Sequence, residues 1–207
     1  MDIKNLVVGQ LQTNCYLAID RISKQCLIID PGDDADYIQR IILDEGVKPG
    51  GIIATHGHFD HILAATELQL NYRLPLWIHP KDIFLVRRMR ETARHFIGIT
   101  SGPPPNITRS LKAGQKIPVG EANLLVIETP GHTPGSITLY SKKEKLAFVG
   151  DLLFSDGGVG RTDFSYSSLG ALQKSITKIL RLPSETVLLC GHGPETTVAA
   201  QRPFHKN

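Results

Sequence analysis

Short apolar runs broken by polar turns recur along the whole chain. Residues 6–8, 14–19 and 25–29 read as strands, each rich in Val, Ile, Leu or Tyr. Asp30-Pro31-Gly32 ends the third run, and Asp33 or Asp34 can cap a helix reaching about Leu43. Ile38, Ile41 and Ile42 fall near helical spacing there. A strand over 51–55 comes next, then a helix carrying Ile62, Ala65, Leu68 and Leu70, a strand over 74–78, and a helix of about 81–96. The second half repeats the theme with strands at 123–128, 136–140 and 145–149, a helix of about 169–180, and a final strand at 186–189. The pattern predicts an α/β (α+β) chain, one domain over 1–207. It has two mostly antiparallel sheets packed face to face, with helices covering both outer faces. The stretch 98–115, with Gly102-Pro103-Pro104-Pro105-Asn106, reads as a surface loop and a candidate flap over a site.

Composition narrows the function classes. Apolar residues make up 41% of the 207 and charged residues 21%, which excludes a disordered chain and suits one sizeable core. The net charge of +3 is small and scattered, which argues against a nucleic-acid partner. The densest basic cluster, Arg87-Arg88-Met89-Arg90, sits with Asp82 and Glu91 on what reads as a solvated helix. No apolar run is long enough to span a bilayer, so no membrane partner is expected. Met1-Asp2-Ile3-Lys4-Asn5 lacks a signal-peptide core, and the expectation is a cytoplasmic protein. Cys15, Cys26 and Cys190 form no C-x-x-C pair and read as small buried hydrophobes, Cys190 adjoining a Gly-His loop.

Thr55-His56-Gly57-His58-Phe59-Asp60-His61 changes the picture most. Imidazoles and carboxylates are the usual ligands of zinc and other first-row metals. In an extended segment His56 and His58 point the same way, and a turn would aim Asp60 and His61 at a neighbouring position. Two adjacent metal sites are therefore expected. Three later loops each offer one more ligand directly after a glycine: Gly131-His132, Gly150-Asp151 and Gly191-His192. His79, His95 and His205 fall outside these loops and read as structural. No Ser–His–Asp triad is apparent.

Thr-His-Gly-His-x-Asp-His followed by Gly-His, Gly-Asp and Gly-His resembles the metallo-β-lactamase superfamily of metal-dependent hydrolases. Leu11-Gln12-Thr13-Asn14-Cys15-Tyr16-Leu17 and Gly160-Arg161-Thr162-Asp163-Phe164 are similar to its short, glyoxalase II-like branch, the hydroxyacylglutathione hydrolases. The resemblance implies a four-layer αββα sandwich with two divalent ions, zinc first among them and iron or manganese as alternatives. It implies that His56, His58 and His132 hold one ion, that Asp60, His61 and His192 hold the other, and that Asp151 bridges them. Asp60 and Asp151 would then be the catalytic carboxylates, Asp30 would stand behind the ligands, and Arg161 would meet a substrate carboxylate or else pair with Asp163. A small-molecule thioester such as S-lactoylglutathione is the implied substrate. Its thiol leaves with a pKa of about 8.5, so no dedicated general acid is needed.

Two departures bear on specificity. Residues 193–207 lie beyond His192, where longer glyoxalase II enzymes have a helical glutathione-binding extension. Gly193-Pro194-Glu195-Thr196 also stands where the family has a Tyr. A persulfide dioxygenase of the same fold, with one iron on His56, His132 and Asp151, is the alternative. A phosphodiesterase or nuclease relative and a non-enzymatic metal-binding module come after it. The sequence leaves oligomeric state open.

Overall fold

In a computed structural model of the chain, which describes residues 1–205, two six-stranded sheets pack face to face. The first sheet runs β1 (Asp2–Val8), β2 (Thr13–Asp20), β3 (Gln25–Ile29), β4 (Lys48–Ile53), β5 (Leu76–Ile78) and β6 (Ile107–Ser110) in spatial order. The second runs from β12 (Thr196–Thr197) through β11 (Val187–Cys190), β10 (Leu146–Gly150), β9 (Ile137–Ser141) and β8 (Ala122–Glu128) to β7 (Lys116–Val119). Helices α1 (Ala35–Asp44), α2 (Ala65–Tyr72), α3 (Ile83–Arg87) and α4 (Met89–Ile97) belong to the first half; α5 (Leu169–Ile179) and α6 (Val198–Gln201) belong to the second.

Strand alternation sorts the side chains into layers. Cys15, Leu17 and Ile19 of β2 face the helices together with Ile38, Ile42 and Leu68. Their neighbours Tyr16 and Ala18 face the other sheet, meeting Val126, Leu139 and Phe148. On the far side, Ala147, Val149 and Leu188 pack under Leu172, Ile176 and Ile179 of α5. A strand buried on both faces reads as a continuous apolar run, which is why β2 and β3 show little polar alternation. The four-layer αββα sandwich expected from the sequence is the observed architecture.

Several boundaries and one pairing pattern differ from expectation. The first sheet is mixed: β3–β4, β4–β5 and β5–β6 are parallel, and only β1–β2 and β2–β3 are antiparallel. Parallel neighbours need a crossover, and α1, α2 and α3 with α4 supply one each. The stretch 98–115 is not all loop, because it contains β6 and delivers fully buried Leu111 between the sheets. The expected helix of 81–96 is a 3-10 turn at Pro80–Asp82, then α3 and α4 with a break at Arg88. Asp82 lies in that turn and is fully buried, not solvated. Leu70 points to solvent, and Ile62 precedes α2 at the end of another 3-10 turn, Phe59–His61. Strands β7 and β12 and helix α6 had no counterpart in the pattern of apolar runs. Among the described residues no helix is long and apolar enough to cross a membrane.

Candidate metal centre

All seven ligand candidates converge at one end of the sandwich. His56 and His58 come just after the end of β4, and Asp60 and His61 fall in the 3-10 turn after them. His132 lies in the loop between β8 and β9, Asp151 directly follows β10, and His192 follows β11. His56, His58 and His132 form one group of converging atoms, His56, His61 and Asp151 a second, and Asp60, His61 and His192 a third, each within 4.8 Å. The groups share members, so the cluster is continuous.

Asp151 sits between the two expected ligand sets. Its Oδ1 lies 3.4 Å from His61 Nε2, while Oδ2 lies 3.6 Å from His132 Nε2 and 3.7 Å from His192 Nε2. Asp60 Oδ2 is 3.4 Å from His192 Nε2 and 3.7 Å from His61 Nε2. His58 Nδ1 and His132 Nε2 approach to 2.8 Å. Small residues make this crowding possible. A Cβ at Gly191 would overlap Asp151 Oδ1 and press on the His61 ring. Gly150 takes φ +54°, the left-handed region, which turns the chain sharply into Asp151 against the Thr55 side chain.

Each imidazole is held by its remote nitrogen. Thr55 Oγ1 is 3.1 Å from His56 Nδ1, Asp30 Oδ2 is 3.1 Å from His61 Nδ1, and the Leu11 carbonyl accepts from His192 Nδ1 at 3.0 Å. The Arg161 carbonyl accepts from His132 Nδ1 at 2.8 Å, and Tyr166 Oη lies 2.9 Å from His58 Nε2. Such contacts fix ring orientation and leave the other nitrogen aimed inward. Asp30 is itself locked by the Thr55 amide and hydroxyl, both at 2.7 Å. The expected cost of Asp30→Asn is a metal affinity about 10–100-fold weaker, read by competition with a chelator. Unchanged affinity would show that His61 needs no such support.

Electrostatics favours the protonation states that ligation needs at His56, His58, Asp60 and Asp151, while at His61 the surrounding carboxylates favour the protonated ring. Burial holds His56 well below the ordinary imidazole value, with His61 adding to the effect. His58 falls to about 3, from burial first and then from His132. Burial also acts on His61, but Asp151, Asp60 and Asp30 around it outweigh that and hold it well above the usual value. Asp151 is driven up by burial and down by His61, His56 and His132, which prevail and leave it ionised. Asp60 is lowered in the same contest, by His61 and His192.

The donor set fits divalent ions on a further observation. Among the described residues, His56 Nε2, His61 Nε2 and Asp151 Oδ1 are buried without a hydrogen-bond partner. An orphaned buried polar atom costs about 1–3 kcal/mol, and three at one point ask for a shared electrophile. Neutral imidazole and carboxylate suit zinc, iron and manganese alike.

A cleft of about 410 Å³ opens over the cluster, lined by His58, Asp60, His132, Asp151 and His192 and by an apolar rim that includes Leu11, Phe96, Phe154 and Phe164. Helix α4 contributes Thr92 and Phe96 to its lining. No residue of 98–115 lines it, which removes the flap assignment. Arg161 stands at the cleft with its guanidinium on Asp163, at 3.0 and 2.6 Å, and over the Phe164 ring. His79 pairs with Glu128, His95 packs on Phe96 and His205 meets Gln201, all apart from the cluster. The three cysteines are buried and free.

Sequence reading missed three supports. Asp82 accepts from the Gly57 and Gly135 amides at 2.9 and 2.6 Å and from the Thr133 hydroxyl at 2.6 Å, so it ties the His56 loop to the His132 loop. Asn14 donates to the Cys190 and Gly193 carbonyls at 3.0 and 2.7 Å, and Tyr16 donates to Cys190 at 2.7 Å. The Asn14-Cys15-Tyr16 segment thus clamps the His192 loop. Tyr166 is the third.

A family model for the metallo-β-lactamase superfamily matches residues 8–192, the span that carries every one of these ligands. The chain belongs to this superfamily. Among its superfamily relatives, the chain is 37% identical to the hydroxyacylglutathione hydrolase GloC of Haemophilus influenzae, over 98% of this chain and 95% of that one. Among solved structures, the BLEG-1 B3 metallo-β-lactamase superposes with a TM-score of 0.91 and 32% identity, covering 100% of both chains. TTHA1623 in a di-iron-bound form gives 0.88 and 34%, over 97% of this chain and 96% of that one. As a superfamily member with an intact His/Asp cluster, the chain is of the metal-dependent hydrolase type.

Proposed function

We propose that the chain hydrolyses a thioester, with an acyl-glutathione such as S-lactoylglutathione as first substrate. The observation that carries this reading is Asp151, whose two oxygens face the two ligand sets beside an open cleft. His56, His58 and His132 would hold one divalent ion and Asp60, His61 and His192 the other, with Asp151 common to both. Bound there, the pair of ions supplies a nucleophile at neutral pH, lowering the pKa of water from 15.7 toward about 7.

The chain's own residues do the rest. Asp151 and Asp60, held ionised, orient the attacking water and offset part of the positive charge. The aromatic rim of Phe96, Phe154 and Phe164 strips water from the acyl group. Arg161, held in the plane of Asp163, presents a guanidinium at the cleft to a carboxylate on the thiol carrier. The departing thiol, with a pKa of about 8.5, leaves without a strong acid behind it. Likeness to the hydrolase GloC supports the acyl-glutathione choice.

The test is thiol release from acyl-glutathione and acyl-CoA thioesters by metal-reconstituted protein. Turnover of acyl-glutathione well above an Asp151→Ala control is the expected result. No turnover of either thioester above that control removes the reading, and oxygen uptake on glutathione persulfide with one iron per chain would replace it with a dioxygenase.

A further inference from the structure

Tyr166 is a cleft residue that the ligand set leaves unexplained. Phe164 stacks on its ring at 5.2 Å and Phe84 meets it edge-on at 5.4 Å, so the hydroxyl is held in place. Among the described residues that hydroxyl has one polar partner, His58 Nε2, and the residue also lines the cleft. It ends a row that runs Arg161 carbonyl, His132, His58, Tyr166, with successive contacts of 2.8, 2.8 and 2.9 Å.

Proton positions along this row are set from its far end. A carbonyl only accepts, so His132 must carry its hydrogen on Nδ1. In a neutral ring its Nε2 is then bare, and the contact with His58 Nδ1 requires His58 to donate. His58 Nε2 is bare in turn, and Tyr166 O–H donates to it. In this arrangement the phenolic proton is directed at His58 Nε2.

Ligation reverses the last links. An ion takes the lone pairs of His58 Nδ1 and His132 Nε2, so neither atom keeps a hydrogen. His132 needs no change, since its hydrogen is already on Nδ1. His58 must move its hydrogen to Nε2, which then donates to the Tyr166 oxygen. The phenolic hydrogen has lost its acceptor and turns toward the cleft. We propose that Tyr166 is a catalytic hydrogen-bond donor, armed by metal loading and aimed at negative charge that develops on the substrate.

The proposal deepens the hydrolase reading and rests on it. In that reaction water adds to the acyl carbon, the C–S bond breaks, and the acid and the thiol leave. Tyr166 keeps its proton throughout at pH 7, since burial pushes its phenol up to about 12. The charge it meets is on the acyl oxygen during addition or on sulfur during departure.

Tyr166→Phe keeps the ring and its stacking and removes only the hydroxyl. At saturating zinc, where any loss of metal affinity is overcome, kcat should fall on the order of 10²-fold with KM little changed. A larger loss for alkyl than for aryl thioesters would place the donor on the leaving sulfur, and an even loss would place it on the acyl oxygen. Separately, 15N NMR of the wild-type chain should show His58 Nε2 change from bare to proton-bearing as zinc is added. Recovery of kcat to within about threefold of wild type at saturating zinc would reduce Tyr166 to a positioning residue and overturn the proposal. A His58 Nε2 that is bare in both states would overturn it as well. If wild-type protein cleaves no thioester, the hydrolase reading fails, while the NMR titration still decides whether metal loading redirects the Tyr166 proton.

Discussion

Asp151→Ala is expected to reduce thioester hydrolysis on the order of 10³-fold, the scale seen when a preorganised charge is removed from a reacting centre. The effect should exceed that of losing any single imidazole, because Asp151 faces both ligand sets. Oδ1 faces His61 and Oδ2 faces His132 and His192, so truncation leaves three imidazoles without their shared counter-charge. His61 should respond most directly, since Asp151 is the strongest of the three carboxylate influences that raise it above the usual imidazole value. The small Ala side chain fits beside Gly150, Gly160 and Gly191, so the fold should survive. Steady-state rates across a zinc titration, with circular dichroism to check folding, measure the effect. A loss below about tenfold at saturating zinc would mean that Asp151 does not join the two sets.

The second large effect falls on stability. Asp82→Ala leaves the buried Gly57 and Gly135 amides without an acceptor and removes one partner of the Thr133 hydroxyl, which retains Ser136. At about 1–3 kcal/mol for each stranded donor, the cost is roughly 3 kcal/mol or more. For a chain of this size that lowers the melting temperature by about 6–12 °C. Because Asp82 joins a loop of the first half to one of the second, the His56–His132 spacing should loosen too, with weaker metal binding at temperatures where the variant is still folded. A melting temperature within about 2 °C of wild type would show that water replaces the carboxylate at no cost.

The metal loops were legible from sequence because their signal is local. His56, His58, Asp60 and His61 lie within one short stretch, and each later ligand comes after a glycine at the end of an apolar run. The layers were legible for a similar reason, since β2 and β3 read as near-continuous apolar runs buried on both faces. Asp82 was misread because its neighbours Arg87, Arg88 and Arg90 suggest a solvated helix. Its burial is decided by Gly135 and Thr133, which approach from the other half of the molecule. Tyr166 and His58 are 108 positions apart, and no spacing rule connects them. The parallel pairings of β3 through β6 were open to inference from the helices between the strands, yet strand composition alone does not distinguish them from antiparallel ones. The Asn14-Cys15-Tyr16 segment was legible as part of a strand, but only family likeness marked it beyond that, and its hydrogen bonds to the His192 loop supply the physical reason for it.

One measurement bears most directly on the pairing of His56, His58 and His132 with Asp60, His61 and His192 around Asp151. Zinc-reconstituted protein, freed of excess metal, is analysed for metal per chain beside a His192→Ala variant. Two ions per wild-type chain and one per variant chain is the expected result. One ion in both proteins would contradict a two-ion centre built on these seven side chains.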